Sequence, residues 1–352
     1  MSSPATDPLR PVTGSPHEVI EAVRGWLHAE TEPESLVVET SGSTGAPKQV
    51  LLSRAAMLAS AHATHERLGG AGQWLLALPP AYVAGLQVIV RSLAAEAEPV
   101  VVDDHPSLAD AVAAMDAGRR YASLVPTQLH RMSDGDLAAL ATLDAVLLGG
   151  GPIDPDLRRR AADRGITIVA TYGSSETSGG CVYDGRPLDG VRVEVDEDER
   201  IRIGGPTLFD GYQHDPELTA QVLVDGWFLT SDIGRIDDGL VQVLGRLDDV
   251  VISGGTNIPA TAVARRLGRH VAIDDVQVLG VDDEEWGQRV VAFVVPAAGL
   301  DGALTLDALR DWVATEHPRT WAPRQLVVLD AIPLLENGKP DRGLLRALAD
   351  RI

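Results

Sequence analysis

A few short stretches of this chain combine residue types that could do chemistry. In Thr40-Ser41-Gly42-Ser43-Thr44-Gly45-Ala46-Pro47-Lys48, hydroxyls, bare glycine amides and one cation share a loop. Those are the makings of a phosphate cradle. The loop lacks the Gly-Lys-Ser/Thr ending of a Walker A sequence, and a Ser/Gly-rich loop taken alone is more often a surface turn. In Thr171-Tyr172-Gly173-Ser174-Ser175-Glu176-Thr177, an aromatic ring could lie on a flat base, and the Glu176 carboxylate could hold Mg²⁺ beside phosphates. By itself Glu176 is more often a solvated loop charge. Gly149-Gly150-Gly151-Pro152 offers backbone that a ligand can approach closely, or a tight turn. Asp232 suits a ribose diol and Arg246 a second contact to it, although turn acids with a surface ion pair would look alike. Asn337-Gly338-Lys339-Pro340 is locally only a turn carrying a lysine.

These stretches need elements to hold them. From about Leu36, short β-branched runs alternate with Ala-rich stretches. Strands are predicted at Leu36–Glu39, Trp74–Leu78, Val100–Val102, Ala145–Leu148 and Thr167–Ala170. Ser53 is placed to cap a helix that runs to Leu68 with Gly69 beyond its end, and Ser107–Gly118 and Pro155–Arg164 fit further helices. The alternation predicts an α/β core with a largely parallel sheet. The phosphate loop would then follow a strand and precede a helix, and Tyr172 and the glycines would sit at strand ends. After Gly190 the texture changes to short strands and turns, an antiparallel piece. From Asp248, strands at Val276–Val281, Val290–Val295 and Gln325–Leu329 with helices at Thr305–Thr315 and Arg342–Asp350 predict a small α+β domain. The expected division is 1–247, a large domain for nucleotide and acid, and 248–352, a small one.

Composition narrows the functions. The net charge of −21 argues against nucleic acid or an anionic membrane as partner, so an anionic ligand must be met by local features. The longest apolar stretch, Trp74 to Val90, is broken by Pro79 and Pro80, so no membrane insertion is expected. The lone cysteine, Cys181, excludes an intrachain disulfide and fits a reducing cytoplasm. Of 30 basic residues only Lys48 and Lys339 are lysine. Where a chain otherwise uses arginine, a retained lysine marks a place for a compact, flexible charge.

Taken together, the motifs resemble the adenylate-forming superfamily of acyl- and aryl-CoA synthetases, adenylation domains and luciferases. Their order and spacing match over roughly residues 36 to 345, and both lysines fall on the two motif positions where that family uses lysine. Random placement among the basic sites would achieve that about once in 400 trials. The resemblance implies an α/β fold with a mobile C-terminal domain, and a reaction in two halves. A carboxylate attacks the α-phosphorus of ATP, and coenzyme A then displaces AMP from the acyl-adenylate. By position, Thr40, Ser41, Gly42, Ser43, Thr44, Gly45 and Lys48 would cradle the β- and γ-phosphates. Glu176 would help hold Mg²⁺, and Ser175 would sit by the α-phosphate. Gly149, Gly150, Gly151 and Tyr172 would form the adenine slot, with Asp232 and Arg246 on the ribose. Lys339 would bridge the α-phosphate and the attacking carboxylate. Asp248 would be the hinge between half-reactions, and the loop holding Gly254 and Gly255 would line the coenzyme A tunnel.

The segment Tyr172–Gly185, and Pro79–Leu86 followed by Arg91, are similar to one subgroup in its short, actinobacterial-type form, the o-succinylbenzoate–CoA ligases of menaquinone synthesis. Their acid carries two carboxylates, and the one that is not activated needs a donor, because burying it unpaired is costly. Arg91 stands at the subgroup's substrate-arginine position; a surface arginine closing a helix is the other reading. Tyr82, where relatives usually carry His, is expected beside the acid pocket, with Ser178, Gly179 and Gly180 lining it. The phosphate loop starts near residue 40, where many relatives have over 100 residues first. A homodimer is expected as one way to cover the side this leaves open.

Three other functions share some of these features. A ligase for another acid would share every nucleotide motif, but a fatty-acid pocket has no use for a buried cation at Arg91. An adenylation domain loading a carrier protein would differ in needing no coenzyme A. A catalytically silent nucleotide-binding protein would have no reason to keep Lys339, Glu176 and Asp232. His62 and His65 could share a metal, but no third ligand is evident. Asp103-Asp104-His105 reads as a loop after a strand. Cys181 has no base to activate it, so a packed thiol is the expectation.

Overall fold

A computed structural model of the protein describes residues 9–40, 48–151, 153–299, 304–334 and 340–350. Tertiary contacts divide the chain into two units. The first comprises Met1–Glu194, Arg202–Thr230 and Ile236–Val241; the second comprises Val195–Ile201, Ser231–Arg235 and Gln242–Ile352. The expected cut after residue 247 lies inside the last segment of the second unit.

The first unit opens with helix α1 (Pro16–Leu27), started by a capping box in which Ser15 and Glu18 bond reciprocally. Strands β1 (Leu36–Thr40) and β2 (Lys48–Leu52) pair antiparallel with Thr40 opposite Lys48, so the phosphate-loop sequence is flanked by paired residues. Residues 41–47, with Ser41 through Gly45, lie outside the described residues. β2, which the sequence did not predict, separates this loop from α2 (Arg54–Leu68), which is capped by Ser53 and stopped by Gly69 in the left-handed region as predicted.

There follow β3 (Gln73–Leu76), α3 (Val83–Ala94), β4 (Val100–Val101), α4 (Leu108–Ala113), β5 (Arg120–Leu124), α5 (Pro126–Arg131), α6 (Asp134–Leu140), β6 (Ala145–Leu148), α7 (Pro155–Asp163), β7 (Ile168–Ser174), β8 (Gly179–Tyr183) and β9 (Arg186–Pro187). Their strands form a seven-stranded sheet in the order β4-β3-β5-β6-β7-β8-β9, parallel from β4 to β7 and antiparallel beyond. Both faces are covered, which is why these strands read as near-continuous apolar runs. On one face Leu75, Leu124, Val146 and Leu148 pack with Leu129, Leu140 and Leu157 from the helices. On the other, the Trp74 and Tyr121 rings meet at 5.0 Å. The predicted helix at Ser107–Gly118 ends early, at Ala113.

Next come β10 (Arg192–Val195), β11 (Arg200–Gly204), β12 (Gly211–Tyr212), α8 (Pro216–Val222), β13 (Leu223–Val224), β14 (Trp227–Asp237) and β15 (Leu240–Arg246). β12 joins β1 and β2 as a third strand; the others form a five-stranded sheet in which β13 and β14 pair antiparallel, as expected after Gly190.

The second unit continues with β16 (Val250–Ser253), β17 (Thr256–Pro259), α9 (Ala260–Leu267), β18 (Ile273–Asp283), β19 (Gly287–Pro296), α10 (Leu306–Ala314), β20 (Gln325–Val328) and α11 (Arg342–Ala349). Its sheet has the order β17-β16-β19-β18, with β20 parallel to β19. Along β19 the side chains alternate between two cores. Val290, Ala292 and Val294 face the cluster built on α9 and α10, while Val291 and Phe293 face Leu345 and Ala349 of α11. The fold is thus the expected α/β unit with an antiparallel piece and a small α+β unit. No helix among the described residues is long and apolar enough to cross a membrane.

Candidate active site

The carboxyl ends of β3, β5, β6 and β7 open on a cleft of about 140 Å³, where open α/β sheets bind ligands. β6 delivers Gly149 and Gly150 to its wall, and β7 delivers Thr171, Gly173 and Ser174. A Cβ on Gly149 would meet Thr171 Oγ1 at 2.3 Å, and one on Gly173 would meet the Gly179 carbonyl at 2.1 Å, so the backbones approach closely here. Gly151 follows, exposed. Tyr172 lies between two wall residues of β7, half-buried and opposite Val182, beside a register shift between Tyr172 and Gly173. β7 runs on through Ser174, four residues past the predicted end, and Ser175 and Glu176 form the short turn after it.

The opposite wall is α3. Gly85 lets its first turn sit against the Pro79 carbonyl, where a Cβ would be 2.3 Å away. The helix is buried nearly all round, and Val83, Gln87 and Arg91 face the cleft at helical spacing. Arg91 is only 3% exposed, which excludes the surface-arginine reading. Its guanidinium lies 5.0 Å from the Trp74 ring, and Nη2 donates to the Tyr183 hydroxyl at 3.3 Å. Nε has no partner, and none of the ion pairs among the described residues includes Arg91. Burial pushes its pKa down. The partial negative charge at the carboxyl end of α3 offsets part of the cost. Beneath it, His65 Nε2 accepts from the Trp74 indole at 3.2 Å, and its pKa is lowered to about 4 by burial, with Arg91 and His62 adding repulsion. His62 is exposed and His65 buried, and no group of three metal-ligating side chains is found among the described residues.

β8 closes the cleft with Gly179, Gly180 and Tyr183. Ser178 is placed behind the wall rather than on it: fully buried, left-handed, its hydroxyl donating to the Thr207 carbonyl at 2.9 Å. Tyr82 caps α3 with its ring 55% exposed, at the mouth and off the wall. Cys181 is buried and its thiol is pushed up to about 12, so it is unreactive at neutral pH.

Glu176 accepts from the Tyr212 hydroxyl at 2.8 Å, and Lys48 Nζ lies 5.3 Å from the centre of the same ring. The pairing of β12 with β2 brings these three together, so the lysine of the phosphate-loop sequence and the Glu176 carboxylate share one neighbour. Burial and the Glu176 charge raise the Tyr212 pKa, which keeps the phenol a donor. A carboxylate beside a phosphate loop suits Mg²⁺, which takes one or two carboxylates and completes its shell with phosphate oxygens and water.

In the second unit, Asp232 on β14 and Arg246 on β15 form an ion pair at 3.7 Å. The backbone of Asp248 lies in a short helical turn, Leu247–Asp249. Gly254 and Gly255 both have positive φ in the turn joining β16 to β17, a type I′ arrangement that glycines satisfy without strain. Lys339 lies outside the described residues.

Sequence reasoning named Arg91 and weighed His65 only as a metal ligand, but assigned no role to Tyr183, Gln87, Trp74 or Tyr212, which lie around Arg91 and Glu176. Only Gln87 left a signal, standing one helical turn before Arg91.

The AMP-binding enzyme family matches residues 25–213, and the AMP-binding enzyme C-terminal domain matches residues 263–339. The "Probable 2-succinylbenzoate–CoA ligase" of Mycobacterium tuberculosis is 48% identical over 321 residues, 88% of this chain and 83% of that protein. The structure of wild-type Escherichia coli MenE with a phenylether-linked analogue of OSB-AMS superposes with a TM-score of 0.74 at 29% identity, covering 92% of this chain and 72% of that one. The o-succinylbenzoate CoA synthetase (MenE) of Bacillus subtilis, in complex with the acyl-adenylate intermediate OSB-AMP, gives 0.71 at 25% identity, covering 88% and 68%.

Proposed function

The chain belongs to the AMP-binding enzyme family, and we infer that it is the ATP-dependent ligase that joins 2-succinylbenzoate to coenzyme A in menaquinone biosynthesis. The succinyl carboxylate attacks the α-phosphorus of ATP and expels pyrophosphate; the coenzyme A thiol then displaces AMP to give the thioester. Coenzyme A and ATP are co-substrates, and Mg²⁺ neutralises charge on the phosphates.

One observation carries the choice of acid. Arg91 is a buried cation in the wall of a cleft, with an unpartnered Nε and no carboxylate paired with it among the described residues. Leaving it so costs several kcal/mol, which a ligand carboxylate would return. 2-Succinylbenzoate brings a second carboxylate that takes no part in the chemistry and can stay on Arg91 while the succinyl group reacts. Gly179 and Gly180 leave room for the aromatic ring.

Around this acid the remaining roles follow. Thr40, Ser41 to Gly45 and Lys48 cradle the terminal phosphates, and Glu176 supplies the carboxylate for Mg²⁺. Gly149 to Gly151 and Tyr172 border the adenine, and Ser175 lies by the α-phosphate. Asp232, already aligned with Arg246, accepts from the ribose hydroxyls. Lys339 neutralises the charge that builds between the α-phosphate and the attacking carboxylate, a positioning and electrostatic role. The small domain turns about Asp248 between half-reactions, and Gly254 and Gly255 line the path for the pantetheine arm. Tyr82 and Ser178 shape the pocket from its mouth and from behind. The cytoplasm, where ATP and coenzyme A are supplied, is the expected location. A homodimer is part of this reading, and a clean monomer by light scattering would remove it.

The test is AMP release and thioester mass with 2-succinylbenzoate, benzoate, succinate and a medium-chain fatty acid. A strong preference for 2-succinylbenzoate is expected. Preference for another acid would remove both the pathway and the Arg91 role, leaving the ligase class.

A further inference from the structure

We propose that Tyr183 is the positioning residue of Arg91, the last link of a hydrogen-bond chain whose direction leaves its phenol oxygen as an acceptor for the guanidinium. The proposal rests on the reading of Arg91 as the holder of the acid's second carboxylate.

The direction follows from the partners. Thr64 Oγ1 lies 2.8 Å from the Ser60 carbonyl, which can only accept, so the single Thr64 hydroxyl hydrogen is spent there. Thr64 Oγ1 is also 2.9 Å from the Tyr183 hydroxyl, and with no hydrogen left it must accept. The phenol therefore donates to Thr64 and turns its lone pairs to Arg91 Nη2, 3.3 Å away. All three links are buried, so water does not compete for them. On its face the guanidinium is held by Trp74, whose indole N–H is anchored on His65. Edge and face are thus both fixed. An arginine with one bond fewer could swing out of line with the carboxylate, and a 1 Å displacement is enough to lose most of a charge-assisted bond.

Tyr183 also lines the cleft, yet its hydroxyl hydrogen is committed away from it, so it orients the arginine rather than binding the acid. Tyr183→Phe removes the oxygen and keeps the ring. The assay compares 2-succinylbenzoate with 4-oxo-4-phenylbutanoate, the same acid without the ring carboxylate. Tyr183→Phe is expected to raise KM for the diacid about tenfold, as loss of a bond to a charged group does, with kcat and the monoacid kinetics nearly unchanged. Thr64→Val, which removes the acceptor that fixes the phenol, should move the selectivity the same way by about threefold. Thr64→Ser should restore it. An equal loss on both acids, or unchanged selectivity, overturns the proposal; if Tyr183→Phe does not fold, the Thr64 pair decides. Arg91→Ala in the same assay separates the two levels. If it leaves selectivity intact, the Arg91 reading fails; if it abolishes selectivity and Tyr183→Phe does not lower it, only the positioning role fails.

Discussion

Arg91 and Arg266 are alike in sequence terms: each is a buried arginine in the last turn of a helix, stacked on a tryptophan. Their surroundings differ. Arg266 has its guanidinium 3.6 Å from the Trp312 ring and donates from Nε to the Trp312 carbonyl at 3.0 Å and from Nη2 to Thr315 at 2.7 Å. It also pairs with Glu316 at 2.8 Å. Among the described residues, Arg91 has a looser stack at 5.0 Å, one hydrogen bond and an orphaned Nε. Arg266 ties α9 to α10, and its cost is repaid inside the protein. Arg91 opens on a cleft and its cost is not repaid, so a ligand must do it. Burial and helix position say nothing of which kind an arginine is; the count of its partners does.

The largest effect expected from this contrast is on catalysis. Arg91→Ala should lower kcat/KM for the diacid by about 10²- to 10³-fold, the worth of a buried charge-assisted pair. The same change should cost less than about 1 kcal/mol of stability, since it removes an unpaired buried charge. Arg266→Ala should do the reverse, costing about 2 kcal/mol in urea unfolding through lost hydrogen bonds and stacking, with acid selectivity unchanged. If Arg91→Ala destabilised the protein as much as Arg266→Ala, the distinction between the two would collapse.

The sequence made the frame of this site legible and hid its lining, for identifiable reasons. β6 and the glycines after it, the Ser53 and Gly69 caps of α2, and the alternation that becomes β19 all follow local rules of periodicity and capping. β5 (Arg120–Leu124) and β2 (Lys48–Leu52) escaped because Arg120 and Ser123, and Lys48 and Gln49, interrupt their apolar runs; pairing with neighbouring strands, not propensity, makes them strands. The predicted strand ends at Ala170, just before the Tyr172 segment; pairing with β8 extends β7 through it to Ser174. Arg91 was named by resemblance, but its bonding to Tyr183 spans 92 positions, and no local pattern encodes that. The Asp232–Arg246 pair was foreseen both as a ribose site and as an ion pair, and the two are compatible.

His65 gives a smaller test of the same cluster. Its pKa is lowered to about 4, so between the ordinary value near 6.5 and that point the unfolded chain binds a proton that the folded protein does not. Its contribution is therefore complete above about pH 6.5 and is lost as pH falls toward 4. By pH 5 the wild type should have lost about 2 kcal/mol more than His65→Gln, which keeps an acceptor for Trp74 and does not titrate. Urea unfolding at pH 7.5 and pH 5 reads the difference; parallel losses in the two proteins would show that His65 is not held neutral by this packing.

Glu176 lies between the two arginines in kind, and should give the smallest effect. Among the described residues, the Tyr212 hydroxyl is the side chain that bonds its carboxylate, while Lys48 sits over the far side of the ring. One oxygen is thus fixed, as Arg266 is, and the rest of the carboxylate stays available for charge brought by a ligand, as Arg91 does. Tyr212→Phe would keep the ring beneath Lys48 and release the carboxylate. Orientation alone is then lost, so apparent KM for Mg²⁺–ATP should rise about threefold, with the acid selectivity set by Arg91 unchanged. A loss as large as that of Glu176→Gln would mean that the hydroxyl itself meets the nucleotide; no change at all would mean that the carboxylate is held in place by its backbone, through the Phe209 amide on the Glu176 carbonyl at 3.0 Å.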